Sequence, residues 1–451
     1  MTVHALRSTL LMRLGCVNAY RLSLDVSYGM LIPVADYYAV TKIDIDGAKV
    51  LESYVLGSLV SALIPRDPTR LSVLFVWLFV VLSYVPMLSV FALQNESRIL
   101  MYATTLFWIG VFALLRFTPR LRLTPLDRRE AGALYLGWFL ATVAVSVVLT
   151  QEYLGFDVVL DLSKVYDVRA RFAEAGLPVH GYYLHWLASF FVPVLLAVAV
   201  VRRRWVGATS LVCLQLIIAS VVGQKFYYFL VPLALGLMWI LTRGQALEVL
   251  ELSLAGMTLL SWLIYEVSGN LLLYLFAVVR WLVLPAQLNF LYYDFFSENR
   301  LLYFSHVVEL FLKLPYLWPY PYSLYPANLI GAVYLDNPNI VAVTGLIGDA
   351  YMNLGLWGFV VYGVALVGVL RVLDACSARL DIRVGIAAIA MPAVSFIGTF
   401  SERALITYGF LPSLLFLYLL GSALRERNVQ QGLPIQAEPG VVGGALGAEG
   451  D

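Results

Sequence analysis

Several residues in this chain have types and spacings that suit chemistry on a charged, hydroxyl-bearing substrate. Arg169 and Arg171 lie in the polar stretch KVYDVRARFAEAGLPVHGYY, Arg280 interrupts the apolar run VVRWLV, and Arg403 follows Glu402 in TFSERAL. A guanidinium is always charged and grips phosphate oxygens through a two-pronged fork, so these positions suit a diphosphate group. Gln224 and Lys225, which begin another apolar run, are weaker candidates of the same kind. Asp349, in NIVAVTGLIGDAY, is expected a turn or two inside a helix N-terminus, where the helix dipole stabilises an anion. His306 and Glu309 are three residues apart and share a face if that segment is helical. Asp349 or His306 could then act as a general base, with Arg280 beside the reacting group. Each position also has a plainer reading. Arg169 and Arg171 can pair with Asp161, Asp167 or Glu174, and Glu402 with Arg403. Arg280 can snorkel to an interface, His306 can simply pack, and Asp349 can cap its helix.

Aromatic residues crowd the same region, among them Tyr292, Tyr293, Phe295, Phe296, Tyr303, Phe304, Trp318, Tyr320, Tyr322 and Tyr325. Most suit a belt at a membrane–water boundary. A few, with Tyr292, Tyr293, Asp294 and Asn339 as the candidates, could flank a groove for sugar rings. Pro315, Pro319, Pro321 and Pro326 exclude one continuous helix through this part. Gly345, Gly348, Gly355 and Gly358 permit close helix approach around Asp349.

What positions these residues is a membrane scaffold. The chain has 451 residues, 61% hydrophobic and 13% charged, against about 25% charged in soluble domains. Runs such as 71–93 and 99–117 can cross the hydrocarbon core as helices. About twelve crossings are expected, near 18–38, 49–65, 71–93, 99–117, 131–150, 184–201, 205–222, 225–241, 249–268, 344–370, 384–400 and 405–424. The first two are interrupted by Asp25, Asp36 and Glu52. Arginine clusters at 116–129, 202–204, 371–383 and 425–427 are each separated by an even number of crossings, which places all four, and both termini, in the cytoplasm. That parity requires the apolar stretch 270–290 to lie along the outer face rather than cross. The fold class is therefore an all-α polytopic integral membrane protein, one domain over 1–427, with large external loops at 151–183 and 285–343. The Gly/Ala/Pro-rich tail 428–451 is expected to be disordered and cytoplasmic. No signal peptide and no internal repeat stand out. The net charge of +1 says little about partners; no nucleic-acid partner is expected. Cys16, Cys213 and Cys376 form no cluster, and neither His306 nor His180 has metal-ligand spacing, so no metal and no cofactor are expected.

At YDVRARF, GQK (223–225), RWLVLPAQLNFLYYDFFSEN and TGLIGDAYMNLGLWG the chain resembles the O-antigen polymerase (Wzy-type), or oligosaccharide repeat-unit polymerase, group of bacterial membrane proteins. With the spacing of the two external loops, the likeness runs from about Lys49 to Leu424. It implies a GT-C-like, metal-independent glycosyltransferase. Such an enzyme joins undecaprenyl-diphosphate-linked oligosaccharides into O-antigen or a related surface polysaccharide, at the periplasmic face of the inner membrane. The implied partners are the lipid-linked oligosaccharides, the bilayer and a chain-length regulator protein. By position, Arg169, Arg171 and Arg280 match the diphosphate-binding arginines of that group; no catalytic base carries over. Two other readings stay open. An O-antigen ligase shares the topology but transfers the finished chain to lipid A core. A flippase or transporter of lipid-linked sugars would place charges on several central helices, whereas here they gather at one face.

Overall fold

The chain's apolar runs become helices because a backbone in hydrocarbon must satisfy its own N–H and C=O groups. The computed structural model describes residues 10–35, 43–154, 167–168, 170, 174, 182–311, 314 and 318–430, and every regular element among them is helical. In order these are α1 (Leu10–Ala35), α2 (Gly47–Leu63), α3 (Leu71–Leu93), α4 (Arg98–Phe117), α5 (Arg128–Tyr153), α6 (Tyr182–Val201), α7 (Trp205–Val222), α8 (Lys225–Leu241), α9 (Ala246–Ser268), α10 (Leu272–Glu298), α11 (Pro326–Tyr334), α12 (Leu346–Leu354), α13 (Leu356–Ser377), α14 (Ile382–Gly398) and α15 (Phe410–Gln430). A π-helical turn, Arg403–Thr407, leads into α15. Among the described residues, nine stretches are long and apolar enough to cross a membrane: α3–α7, α9, α10, α13 and Arg403–Leu424. The molecule has the all-α, multi-pass character expected from its composition.

A helix that is apolar on every face belongs inside a bundle. Accordingly α3, without a charge over its length, has 94% of its most apolar window buried, whereas α5 at the edge has 17%. The charges that interrupt the first two helices are paired. Arg21 Nε donates to Asp25 Oδ1 at 2.9 Å, and the Tyr54 hydroxyl donates to the other oxygen of Asp25. Glu52 accepts from Arg98 Nε at 3.0 Å. Asp36 lies outside the described residues.

Contacts between helix ends sort the bundle into two poles. At one, Arg70 pairs with Asp374 at 3.0 Å, Arg371 donates to Thr118, and the Tyr418 hydroxyl donates to the Thr124 carbonyl. The arginine-rich segments around 116–124 and 371–379 therefore meet. At the other pole, Gln287 donates to Gln94 at 2.9 Å and Trp186 to the Ile406 carbonyl at 2.7 Å. Helix α10 is long enough to cross, yet its partners belong to this second pole. Trp281 packs on Phe226 at the start of α8, Gln287 meets Gln94 at the end of α3, and Asn289 meets α12.

Three expected boundaries are corrected. The stretch 285–343 is not loop from its start, because α10 runs through Pro285 to Glu298, with the proline placed directly after the π-helical stretch Leu275–Val283, an irregularity of the kind that accommodates a missing N–H. The crossing expected over 344–370 is two helices, broken at Gly355, whose φ of +59° suits a residue without a side chain. The terminal helix continues to Gln430, past the expected start of the tail at 428; residues 431–451 lie outside the described part.

Two contacts hold α12 in place. Asn289 Oδ1 accepts the Gly348 N–H at 2.9 Å and the Thr344 hydroxyl at 3.1 Å. Gly345 lies against the end of α14, where a Cβ would stand 2.2 Å from the Ile397 carbonyl oxygen. Backbone cannot yield as a side chain can, so Gly345→Ala is expected to destabilise by about 3 kcal/mol. Gly368, in α13, has open space around it, and Gly368→Ala is expected to be neutral or stabilising by up to about 1 kcal/mol. Thermal melts of the two variants in detergent check this; equal midpoints would show that the α12–α14 approach is looser than described here.

Candidate functional site

The second pole carries two cavities that share a wall. One, of about 290 Å³, is lined by Gln224, Lys225, Arg280, Trp281, Thr399 and Tyr408 among others. The other, of about 280 Å³, is lined by Phe304, Asp349, Asn353, Tyr362, Ser401 and Glu402 among others. The last turns of α14 and the segment after it contribute to both: Ser395, Ile397, Gly398, Thr399 and Tyr408 face the first, while Phe396, Ser401, Glu402 and Leu405 face the second. The first cavity is cationic. The second is apolar apart from its carboxylates, amide and hydroxyls.

The cationic cavity joins two motifs far apart in sequence. Gly223 closes α7 with φ +66°, which turns the chain so that Lys225 opens α8. Arg280 is exposed and sits in a π-helical stretch of α10, Leu275–Val283. The widened turn there is the kind of irregularity found at functional positions. Lys225 and Arg280, two cations far apart in sequence, line one cavity.

In the second cavity Asp349 is 1% exposed. Its Oδ2 accepts the Ser401 N–H at 2.9 Å, and its Oδ1 accepts Asn353 Nδ2 at 2.9 Å. Asn353 is itself fixed on both ends of its amide. The nitrogen also donates to the Tyr362 hydroxyl at 3.1 Å, and the oxygen accepts the Phe304 N–H at 2.8 Å. Tyr303 and Phe304 both have left-handed backbone, φ +47° and +64°. Two consecutive side-chain-bearing residues there store strain, a feature concentrated at functional sites. They turn the chain so that His306, 1% exposed, faces Glu402, with Nε2 4.0 Å from Oε1. Among the described residues, neither ring nitrogen of His306 has a hydrogen-bond partner. His306, Asp349 and Glu402 each present a ligating atom, and these atoms all lie within 4.8 Å of one another.

Burial disfavours charge here. It drives the Asp349 carboxyl above the ordinary aspartate range, and the hydrogen bonds from Ser401 pull it part of the way back. The Glu402 carboxyl rises first by burial and then by the nearby charge of Asp349. The His306 imidazole moves down to about 4, by burial and then by Arg403. Two carboxyls pushed upward side by side, facing a neutral imidazole, form the sort of perturbed cluster that marks a reactive site.

The remaining candidates disperse. The Arg403 guanidinium lies 5.3 Å above the ring of Tyr325, next to the carboxylate cluster rather than in the Arg280 cavity. Tyr292 is fully buried and donates to the Ala342 carbonyl at 2.9 Å. It therefore braces the wall behind the site and offers no face to a sugar. Tyr293 packs on Tyr351 with ring centroids 4.7 Å apart. Asp294 is exposed and accepts the Tyr334 hydroxyl at 2.6 Å; Asn339 is exposed and donates its N–H to Asn337 Oδ1 at 2.9 Å. Glu309 accepts the Tyr320 N–H and so holds the proline-rich segment rather than joining His306. Arg169, Arg171, His180 and Lys313 lie outside the described residues.

The fold brings His306 close to Asp349 on α12 and Glu402 in the turn after α14, residues dozens of positions away in sequence, so no local spacing could reveal the grouping. Glu402 stands out in the sequence only as a neighbour for Arg403. Asn353 and Asn289 are functional residues that the sequence analysis does not single out; for Asn353 an amide beside the Gly-rich segment of an apolar run is the signal. No known family model, curated protein or solved structure matches this chain.

Asn353→Ala removes one acceptor and the three bonds its amide donates, all in a buried place. Leaving the Phe304 N–H and an Asp349 oxygen unpartnered is expected to destabilise by about 3 kcal/mol, read as a lowered melting midpoint. Asn353→Ser keeps one donor and is expected to fall between the two; a melt unchanged in both variants would mean the amide does not brace this cavity.

Proposed function

We propose that this protein is a polymerase of lipid-linked oligosaccharides. In this reading it joins undecaprenyl-diphosphate-linked repeat units into O-antigen or a related surface polysaccharide, at the periplasmic face of the bacterial inner membrane. The observation that carries it is the pair of cavities on one wall, one bearing Arg280 and Lys225 and the other bearing Asp349 and Glu402, with His306 close behind those two carboxyls. Glycosyl transfer from a lipid diphosphate has two electrostatic demands. The bond between the anomeric carbon and the diphosphate oxygen breaks, and that oxygen leaves with the electron pair. A hydroxyl oxygen of the acceptor sugar forms the new bond and loses its proton. Cations serve the first event and an anionic or basic group the second. Both are present, on neighbouring faces of one short segment.

In this reading the diphosphate of the donor binds at Arg280 and Lys225; Arg169 and Arg171, to which the resemblance gives the same role, lie outside the described residues. The acceptor hydroxyl reaches the carboxylate side, where the apolar walls of Leu346, Val361, Leu366 and Phe410 accommodate a lipid tail. The carboxylate-bearing end of the bundle is then periplasmic and the arginine-rich end cytoplasmic, which agrees with the usual retention of arginine on the inside. Twelve crossings follow, in a GT-C-like arrangement with both termini inside. Counting helices from pole to pole supports this number: α1–α9, α13, α14 and α15 alternate, and α10 stays at one pole.

The reading is tested by exchanging the fork for a point charge. Arg280→Lys keeps the charge but cannot grip two phosphate oxygens at once. Losing one charge-assisted hydrogen bond is worth about 1.5–3 kcal/mol, so chain extension from purified lipid-linked repeat units is expected to fall about 10- to 100-fold. Product length is measured by gel or mass spectrometry, with the melting midpoint unchanged. Wild-type protein that extends no such substrate, or Arg280→Lys that extends it at the wild-type rate, would overturn the assignment.

A further inference from the structure

The unpartnered imidazole of His306 asks for an occupant. Burying a hydrogen-bonding group without a partner is unfavourable by about 1–3 kcal/mol, and here both ring nitrogens are in that state at 1% exposure. The nearest candidate on the protein is Glu402, but 4.0 Å from Nε2 to Oε1 is too long for a hydrogen bond. One ion could join them after a small approach, because ligand atoms with bonds of about 2.0–2.2 Å to a tetrahedral centre stand about 3.4 Å apart. Asp349 supplies a third ligating atom, all three lying within 4.8 Å of one another.

We propose that His306, Asp349 and Glu402 bind a divalent transition-metal ion of the Zn²⁺ or Mn²⁺ class. The donor set is one imidazole and two carboxylates. That mixture favours zinc or manganese over magnesium and calcium, which prefer oxygen alone. Three protein ligands leave a coordination position open, the pattern of reactive rather than structural sites. The supports behind the ligands are in place as well. Ligating carboxylates are themselves usually hydrogen-bonded, and Asp349 is held by the Ser401 N–H and by Asn353. The cavity that Asp349 and Glu402 line provides a way in.

Ligating oxygens must be deprotonated, so two carboxyls this close would release a proton when an ion binds between them. One feature tempers the affinity. A metal-bound histidine commonly hands its second N–H to a protein acceptor, which strengthens binding 10- to 100-fold, and His306 has none. Binding of moderate strength is therefore expected.

The ligands are the residues that the proposed transfer reaction places on the acceptor side, but the test needs no sugar substrate, so either assignment can fail without the other. The full chain, purified in detergent, is stripped with chelator and desalted. It is then equilibrated separately with Zn²⁺, Mn²⁺ and Mg²⁺, and bound metal is counted by mass spectrometry of the elements. About one Zn²⁺ or Mn²⁺ per chain is expected, with a rise in melting midpoint on adding that ion to stripped protein. His306→Ala and Glu402→Gln are each expected to weaken binding at least tenfold and to abolish the rise. Cobalt substitution of the stripped wild type gives a readout that depends on no variant: a visible ligand-field band is expected. Wild-type protein without a stoichiometric ion or a cobalt band overturns the proposal. So does retention of the full ion count and affinity by folded His306→Ala and Glu402→Gln, which would place the ion elsewhere.

Discussion

The arrangement of this site depends on one hydrogen bond between a buried carboxylate and a backbone amide. Asp349 accepts the Ser401 N–H at 2.9 Å, and in doing so ties the start of α12 to the turn that follows α14. A carboxylate at that depth is tolerated only when its oxygens are satisfied. The segment it grips, with the last turn of α14, is the wall common to both cavities. The bare backbone of Gly345 against the Ile397 carbonyl brings the same two segments together from the other side. A polar bond and a steric fit thus converge on one short piece of chain, and the shape of both cavities follows from where that piece lies.

Around that bond, side-chain amides take the place that water would have in a soluble protein. Asn289 satisfies the Gly348 N–H near the beginning of α12, where helix N–H groups otherwise lack partners. Asn353 satisfies the Phe304 N–H in a strained turn. Gln287 and Gln94 pair across α10 and α3. Each amide carries both a donor and an acceptor, so one residue can close two gaps in a low-dielectric interior. The left-handed Tyr303 and Phe304 are held by this scaffold: the Tyr303 N–H donates to the Asn353 carbonyl and the Phe304 N–H to its side chain. The strain is thereby kept in the one place where it aims His306 at Glu402.

Much of the scaffold was legible in the sequence, for a physical reason. Apolar runs and arginine clusters report on a one-dimensional solvent gradient, and a chain that crosses it repeatedly must show the gradient in its own order. The helices at 71–93, 99–117 and 205–222 appear within a residue of their expected bounds. The stretch 270–290 is expected to lie along one face, yet it belongs to a helix long and apolar enough to cross, Leu272–Glu298, whose Trp281, Gln287 and Asn289 meet Phe226, Gln94 and α12. The candidate site was legible only in its separate members. Lys225, Arg280, His306, Asp349 and Glu402 each stood out as a polar residue in apolar surroundings, but which of them meet is decided by lateral packing, and lateral packing has no linear signature. Tyr292 fails for the complementary reason. Its ring looked like a binding surface because aromatic residues serve both belts and cores, and its hydroxyl, donating inward to Ala342, settles which.

The grouping that results separates charge. Lys225 and Arg280 lie in one cavity, Asp349 and Glu402 in the other, and a single segment of chain stands between. Burial weakens screening on the carboxylate side. There Arg403 leans over the ring of Tyr325, and His306 is neutral in its burial. A proton shared between the two carboxyls would ease their repulsion but would leave both imidazole nitrogens orphaned. A cation held among all three resolves both problems together, and that economy is the strongest physical reason to look for one.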